Sequence, residues 1–349
     1  MLTRPGHGNM IQTRICNVLG IQYPIALGGL GGGHTQPAMV AAVSEAGGFG
    51  ALGCFQLEPD QVRDAALEIR RRTKKPFALN FLMFAFKEDS YAAALKEKPA
   101  GIALAWPRPE QDLKTYIDRA HDAGCKVTLM AGGVPEAECG VSAGADIIIA
   151  QGTEAGGHVG WMATMTLTPM IVDAVAPIPV LSAGGIADGR GLAAALALGA
   201  DGVLLGTRFM ASNESPLHPN FKQAIIESNG HDTVLTEIPD IAAGIVWPGA
   251  MSRAKRNRFV ERWAGREWVL RQHQAEVLAQ IRAARKAGEA DEAPLWFGQD
   301  AGLIKEILPV AEIVRRMATE AEEIISKRLP VLPNNKKGSI SCRTLKADS

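Results

Sequence analysis

The chain has 349 residues, of which 47% are hydrophobic, and its 37 basic side chains balance 37 acidic ones. This composition predicts a large buried core and excludes extensive disorder and a net electrostatic attraction to nucleic acid or an anionic membrane. Its five cysteines, none in a Cys-x-x-Cys spacing, indicate neither a disulfide framework nor a zinc site. Without a signal peptide or an apolar run of about 20 residues, the sequence predicts a soluble cytoplasmic protein that acts on a small molecule.

One junction recurs along the first 210 residues. An Ala-rich helical segment ends in glycine and a short apolar run follows at once, as at 143–147 and 198–203. Glycine readily adopts the left-handed conformation that ends a helix, and the run after it is too short for another helix. Because these runs lack polar alternation, they are typical of parallel strands buried on both faces.

The pattern predicts eight strands, at 24–27, 48–53, 77–81, 101–105, 126–130, 146–150, 179–183 and 202–206. Helices are predicted between them at 36–46, 59–72, 90–96, 110–123, 135–143, 167–175 and 190–198. Eight alternations favour a (β/α)8 TIM barrel, whereas six strands would have suited a doubly wound sheet. The predicted fold class is therefore α/β, a TIM barrel with a C-terminal helical extension or lid.

The remaining sequence departs from this pattern. A charged stretch at 253–285 predicts a helix or helix pair with Trp263 and Trp268 as packing anchors, and a helix over 303–329 is expected to return and close the barrel. The predicted organisation is a disordered N-terminal extension at 1–10, a barrel made of 11–210 and 303–329, a helical lid or insertion at 211–302, and a loose tail at 330–349.

Glycine-rich loops follow the last two predicted strands. Gly184 and Gly185 come after the seventh strand, and Gly206 and Thr207 end the eighth. In TIM barrels these two loops commonly hold a phosphate group. Their amide N–H groups can approach phosphate oxygens without obstruction by a Cβ, and the Thr207 hydroxyl offers another donor. Phosphate binding is favoured over the alternative of ordinary tight loops.

A glycine-rich turn, the 151–158 segment Gln-Gly-Thr-Glu-Ala-Gly-Gly-His, follows the sixth predicted strand. Glycines let a ligand approach the backbone, and His158 can exchange protons near pH 7, so this turn is a candidate active site. A purely structural histidine is the alternative. Glu154 is expected to anchor the turn by accepting backbone N–H bonds. His34, in the glycine-rich loop 28–34, is a weaker candidate for substrate contact.

These motifs resemble those of the nitronate monooxygenases (2-nitropropane dioxygenases), FMN-dependent barrels that are also similar to flavin-type enoyl-acyl-carrier-protein reductases. The resemblance covers roughly residues 11–327. It is carried by the 151–158 segment, Asn80, Ser182-Ala-Gly-Gly-Ile186, Gly206-Thr-Arg-Phe209, and the segments 257–267 and 298–304. It implies an FMN site with Gly184, Gly185, Leu205, Gly206 and Thr207 on the phosphate side, Asn80, Gln151 and Gly156 at the flavin ring or ribityl chain, and Gly28, Gly29 and Gly157 as further cofactor-binding residues. No metal site is predicted.

The resemblance also implies a reaction. His158 resembles the family's catalytic base, which removes a proton from the carbon next to a nitro group. FMN would oxidise the resulting nitronate, and dioxygen would complete turnover to a carbonyl compound and nitrite. The implied partners are a nitronate or nitroalkane and dioxygen. NAD(P)H as a redox partner and a homodimer as the assembly stay open.

One motif departs from the family. Many members end the first strand in Ala-Pro-Met, whereas this chain has Gly28-Gly29-Leu30 followed by three more glycines. Loss of the stiff proline and of the methionine side chain predicts a more open or more mobile wall, so the substrate stays open. The sequence leaves two alternatives open: an NAD(P)H-dependent flavin reductase of an enoyl thioester or quinone, and a flavin-free barrel that binds a phosphorylated metabolite.

Overall fold

A computed structural model describes residues 11–329, so the predictions for residues 1–10 and 330–349 lie outside the described residues. The strands are β1 (Ile25–Leu27), β2 (Gly50–Gly53), β3 (Phe77–Leu82), β4 (Gly101–Ala105), β5 (Lys126–Ala131), β6 (Ile147–Gln151), β7 (Gly157–Val159), β8 (Val180–Ala183), β9 (Gly202–Leu205), β10 (Thr233–Thr236) and β11 (Met251–Lys255). Eight of them form one sheet in the order β1-β9-β8-β6-β5-β4-β3-β2.

This sheet closes into a barrel. All its neighbouring strands pair in parallel. At the seam between β1 and β2, the amide of Leu27 donates to the carbonyl of Phe49 at 2.9 Å, and the amide of Phe49 donates to the carbonyl of Ile25 at 3.0 Å. The predicted (β/α)8 barrel is confirmed, and its strands coincide with the predicted apolar runs to within two residues at each end.

The α-helices surround this barrel and build the C-terminal part. They are α1 (Arg14–Leu19), α2 (Pro37–Glu45), α3 (Pro59–Arg72), α4 (Glu88–Lys96), α5 (Leu113–Asp122), α6 (Val134–Ala143), α7 (Thr164–Val175), α8 (Gly189–Ala197), α9 (Thr207–Met210), α10 (Pro219–Ile226), α11 (Ile238–Ala243), α12 (Arg258–Trp263), α13 (Glu267–Gln272), α14 (Gln274–Ala287) and α15 (Val310–Glu323). Short 3₁₀ turns lie at Met83–Ala85 and Gln299–Leu303, and a π-helical turn at Ile324–Arg328 follows α15. None of the helices in the described residues has the length and hydropathy of a membrane span.

The N-terminal end of the barrel is filled by α1, which the sequence pattern did not reveal. Ile15 and Leu19 of this helix are buried in one cluster with inward-facing strand residues such as Ala26 and Ala51. The guanidinium of Arg14 forms a bidentate ion pair with Asp201, at 2.7 and 2.8 Å, just before β9. With this end closed, the ligand-accessible space lies at the carboxyl ends of the strands, where TIM barrels place their active sites.

The C-terminal part corrects one prediction. The expected helix over 253–285 begins as strand β11 and then divides into α12, α13 and α14. Asn257 caps α12 by accepting a hydrogen bond from the amide of Val260 at 3.1 Å, and Gly265 has a positive φ of 73° between α12 and α13. Trp263 packs against a second apolar core, but Trp268 is 64% exposed, so its prediction as a packing anchor is wrong.

The last helix packs against helices of the barrel, and it begins later than the predicted residue 303. Leu303 is 48% exposed and ends a 3₁₀ turn, and α15 starts only at Val310, after Pro309. Proline is compatible with the start of a helix but not with its interior, which explains the boundary. Because α15 packs between α8 and α2, it takes the position of the helix that follows the eighth barrel strand.

Candidate active site

A cavity of about 290 Å³ lies within the barrel and extends to the loops at the carboxyl ends of its strands. This volume is at the lower end of the roughly 300–1,000 Å³ range of small-molecule sites. The inward positions of five strands that line it are alanines, and these small side chains leave the space open. They are Ala26, Ala51, Ala78, Ala103 and Ala183.

The structure brings nearly all of the predicted site residues to this cavity. Gly185 is the exception, since it does not belong to the lining. The lining includes Gly28, Gly29, Asn80, Gln151, Gly156, Gly157, His158, Gly184, Leu205, Gly206 and Thr207.

The glycine loops after β8 and β9 present free backbone donors. The amide N–H groups of Gly184, Gly185, Gly206 and Thr207 donate to no protein acceptor within residues 11–329. Gly184 has a φ of +101°, and a Cβ there would lie 2.9 Å from the carbonyl oxygen of Gly152. A side chain is therefore excluded at this position both by backbone conformation and by space.

The Thr207 hydroxyl is already engaged. It accepts a hydrogen bond from the amide of Gly298 at 2.9 Å, and its interaction with the Asp300 carboxyl group lowers the pKa of that group. The extra phosphate donor that the sequence predicted is thus used inside the protein, which leaves the Thr207 amide as the free group.

Two glycines after β1 fit tightly against neighbouring strands. The amide of Gly28 donates to the carbonyl of Leu205 at 3.0 Å, which continues the β1–β9 pairing. A Cβ on Gly29 would lie only 2.2 Å from the Cβ of Asn80. Gly29 is therefore required by the position of the Asn80 side chain.

Two amide side chains carried by barrel strands line the cavity, Asn80 within β3 and Gln151 at the end of β6. Asn80 Nδ2 donates to the carbonyl of Ala103 at 3.2 Å, so its donor is partly used for holding the side chain against β4. Gln151 is 8% exposed, and its Oε1 has no hydrogen-bond partner in the described part of the chain. An unpartnered buried carbonyl oxygen is costly, so the Gln151 amide has an acceptor available for a ligand N–H group.

The turn before His158 is more rigid than its glycine content predicts. A Cβ on Gly156 would lie 2.5 Å from Cα of Phe297, so this glycine admits the closely packed 297–298 backbone. The Glu154 carboxylate accepts hydrogen bonds from the amide of Thr164 at 2.9 and 3.1 Å and from its hydroxyl at 2.9 Å. The predicted anchoring role of Glu154 is confirmed.

His158 itself lies on a strand rather than on a mobile turn. Strand β7, which begins at Gly157 with a φ of +75°, pairs antiparallel with β11, and His158 is opposite Ser252. Strand β11 pairs in turn with β10, and the Arg253 guanidinium donates to the carbonyl of Thr153 at 2.8 Å. The small antiparallel sheet therefore fixes the backbone of His158.

A carboxylate and an indole hold the imidazole. His158 Nε2 lies 2.8 Å from Oδ1 of Asp240, and both side chains are about nine-tenths buried. The His158 ring stacks on the Trp247 ring with centroids 3.4 Å apart and planes 12° apart. Because an ionised carboxylate only accepts hydrogen bonds, the neutral imidazole carries its proton on Nε2. Nδ1, which makes no hydrogen bond within 11–329, is left as the basic nitrogen.

Asp240 and Trp247 were not identified from the sequence. Asp240 lies 82 residues from His158, in the first turn of α11, and Trp247 lies in the segment that leads to β11. The available signal was Ile238-Pro239-Asp240, since a proline followed by an acidic residue is typical of a helix start. That signal locates a helix but does not reveal which side chain Asp240 contacts.

The second histidine of the cavity has a different environment. His34 lines the cavity, but its Nε2 has no partner in the described chain, and its ring meets the Trp296 ring edge-on at 6.0 Å. Burial, followed by the charge of Arg285, lowers the pKa of His34 to about 4. His34 is therefore neutral at pH 7. Across residues 11–329, no group of three or more His, Cys, Asp or Glu side chains could hold a metal ion.

Residues 12–320 match the family model described as nitronate monooxygenase. The chain belongs to the nitronate monooxygenase family. A Staphylococcus aureus (strain MSSA476) protein named "Probable nitronate monooxygenase" is 32% identical over 362 residues, with 90% of this chain and 98% of the relative covered. The chain is accordingly an oxidoreductase of the nitronate monooxygenase type.

Solved structures agree with this family. FabK from Thermotoga maritima superposes with a TM-score of 0.81 at 35% identity and covers 91% of this chain and 99% of its own. Nitroalkane oxidase from Streptomyces ansochromogenes superposes with a TM-score of 0.76 at 28% identity and covers 88% of this chain and 98% of its own. The barrel and its C-terminal part are thus shared almost end to end with both proteins.

Proposed function

We propose that this family member is an FMN-dependent oxidoreductase that converts alkyl nitronates and nitroalkanes, with dioxygen, to a carbonyl compound and nitrite. The observation that supports it best is that the buried His158–Asp240 pair lines the same cavity as the unpartnered donors of Gly184, Gly206 and Thr207. The cavity therefore combines a proton acceptor for the substrate with backbone donors for the phosphate of the cofactor.

The cavity residues fit FMN. The free amides after β8 and β9 offer donors to a phosphate group, and the unpartnered Oε1 of Gln151 offers an acceptor to an N–H edge of the flavin ring. The alanine-lined interior suits an apolar ring system. When bound, FMN would supply the redox chemistry, accepting electrons from the nitronate and passing them to dioxygen.

His158 is proposed as the general base. Nδ1 is the nitrogen free to take the proton from the carbon next to the nitro group, because Asp240 occupies Nε2. The imidazolium formed in this step is stabilised by the adjacent carboxylate, while stacking on Trp247 fixes the ring plane. A preformed nitronate has already lost this proton, so its oxidation does not need the base.

The decisive experiment combines a spectrum with anaerobic mixing. The purified protein should be yellow, show flavin absorbance and release FMN on denaturation. Under anaerobic conditions a nitronate should bleach it rapidly. A colourless protein that binds no added FMN would overturn the cofactor assignment, and bleaching by NADH but not by nitronate would instead support the reductase alternative.

Replacing Asp240 with asparagine should lower turnover of a neutral nitroalkane by about tenfold, equivalent to about 1.4 kcal/mol in the activation barrier. Asparagine can keep a hydrogen bond to His158 but removes the negative charge that stabilises the imidazolium. Steady-state kinetics of Asp240→Asn should show the loss in kcat, with KM little changed. A preformed nitronate is the control, and an equal loss with both substrates would contradict the role given to Asp240.

A further inference from the structure

A buried carboxyl group lies at the end of the cavity where the phosphate is proposed to bind. Asp300, on the 3₁₀ turn Gln299–Leu303, lines the cavity and is 6% exposed. Its Oδ1 lies beside Gly298, where an added Cβ would be only 2.3 Å from it. The amide of Gly298 donates to the hydroxyl of Thr207 at 2.9 Å, and the free amide of Thr207 is among the donors assigned to the phosphate. A negatively charged ligand placed at these amides would therefore have a carboxyl group as a close neighbour.

This carboxyl group has no ion-pair partner within residues 11–329. Arg208 acts on Asp300 through its charge but forms no salt bridge with it. The Arg208 guanidinium instead donates to the carbonyls of Ala211 and Glu306, each at 2.8 Å. Burial raises the pKa of Asp300 to about 7, and the hydrogen bond from Thr207, the Asp300 amide and the charge of Arg208 only partly offset this effect.

None of the other charged groups near this turn forms an ion pair with Asp300 within residues 11–329, and several of them bond elsewhere. The Gln299 amide donates to the backbone carbonyl of Glu154 at 2.9 Å, but the Glu154 carboxylate binds Thr164. Helix α10 packs against the turn and carries Lys222, whose ammonium donates to the carbonyls of Ser212 and Asn213.

The segment before β10 also lies against the turn, through Gly230 and Gln299. Its charged or titratable side chains are His231 and Asp232, and Asp232 is hydrogen-bonded to Ser228. Glu306 and Arg316 face Arg208, and Arg285 lines the same cavity.

We propose that Asp300 is a cofactor-binding residue whose protonated carboxyl group donates a hydrogen bond to the FMN phosphate. FMN binding then takes up a proton and weakens as pH rises. A neutral carboxyl group can donate a hydrogen bond to a phosphate oxygen, whereas a carboxylate would repel the phosphate at close range. Binding of the dianion raises the pKa of Asp300 further, because an adjacent negative charge disfavours ionisation. The inference rests on the proposed FMN site.

The sign of the effect follows from linkage. Above pH 7 free Asp300 increasingly loses its proton, and each binding event must restore it, so the dissociation constant for FMN rises with pH. The phosphate ionises fully above its own pKa of about 6, so measurements from pH 7 to 8.5 keep the ligand constant. Over this range the dissociation constant should increase by about tenfold.

The test compares FMN with riboflavin, which lacks the phosphate, on flavin-free protein. Fluorescence titration should show the pH-dependent weakening for FMN only. The variant Asp300→Asn, a neutral group of the same shape, should bind FMN with a nearly pH-independent dissociation constant. A parallel pH dependence for both flavins, or an unchanged FMN dependence in the variant, would refute the proposal.

A second measurement uses the unaltered chain and so does not depend on folding of the variant. Calorimetry at pH 8 in two buffers of different ionisation enthalpy counts the protons taken up on binding. We expect nearly one proton per FMN and none per riboflavin. FMN binding without proton uptake would reject only the role of Asp300, whereas absence of any FMN binding would reject the proposed function itself.

Discussion

Replacing His158 with alanine should reduce turnover of a neutral nitroalkane by about 10²-fold or more, the usual scale for loss of a general base. Its Nδ1 is the proton acceptor in the proposed reaction. Asp240 would be left buried without its partner at 2.8 Å, and Trp247 without its stacked ring. Flavin should stay bound, because the phosphate-side donors lie on other loops.

Two comparisons make this prediction specific. A preformed nitronate should be oxidised by His158→Ala at a rate close to that of the unaltered protein, since its proton is already lost. His121→Ala is the matched protein control, because His121 also pairs with an aspartate, Asp146, at 2.9 Å, but lies outside the cavity. Equal losses with nitroalkane and nitronate would show that His158 is not the base.

The barrel could be predicted from the sequence because the patterns that mark its helices and strands are local. Glycines such as Gly144 and Gly199 end helices in a left-handed conformation, with φ of +104° and +92°, and mark the following strand directly. In the C-terminal part, Gly244 and Gly288 also end helices in a left-handed conformation, with φ of +68° and +75°, but no strand follows them directly. Arg253 and Lys255 belong to strand β11, where strand pairing overrides the helix predicted for 253–285.

The position of the site could be predicted from the sequence, but the contacts of its side chains could not. Glycine loops and the 151–158 segment indicate where a ligand approaches the backbone, and the parallel barrel brings them to one end. The partners of His158 depend on long-range packing, since Asp240 is 82 residues away along the chain and β7, which carries His158, pairs with the distant strand β11. The hydrogen bond from the Gly298 amide to the Thr207 hydroxyl likewise joins residues that are 91 positions apart, so no local pattern reveals it.

The Gly29→Ala variant should lose at least tenfold in FMN affinity and should unfold at a lower temperature. The added Cβ would lie 2.2 Å from the Cβ of Asn80, a separation that real Cβ atoms do not adopt. The hydrogen bond between Asn80 and Ala103 resists movement of β3, so the first loop must shift outward. Overpacking of this kind typically costs about 1–3 kcal/mol. Here the displaced groups border the proposed flavin site, so binding and stability should fall together.

Gly31→Ala is the matched control on the same loop. A Cβ there would lie 3.4 Å from the Cβ of Phe55, at the edge of ordinary contact, and Gly31 does not have a positive φ. This variant should keep both its FMN affinity and its melting temperature close to those of the unaltered chain. The loop is fixed to its neighbours, because the Thr35 hydroxyl bonds the Leu30 carbonyl at 3.1 Å and the Gly53 amide at 2.8 Å. If Gly29→Ala matched Gly31→Ala in both measurements, the loop would instead be the open, mobile wall that its glycines predict.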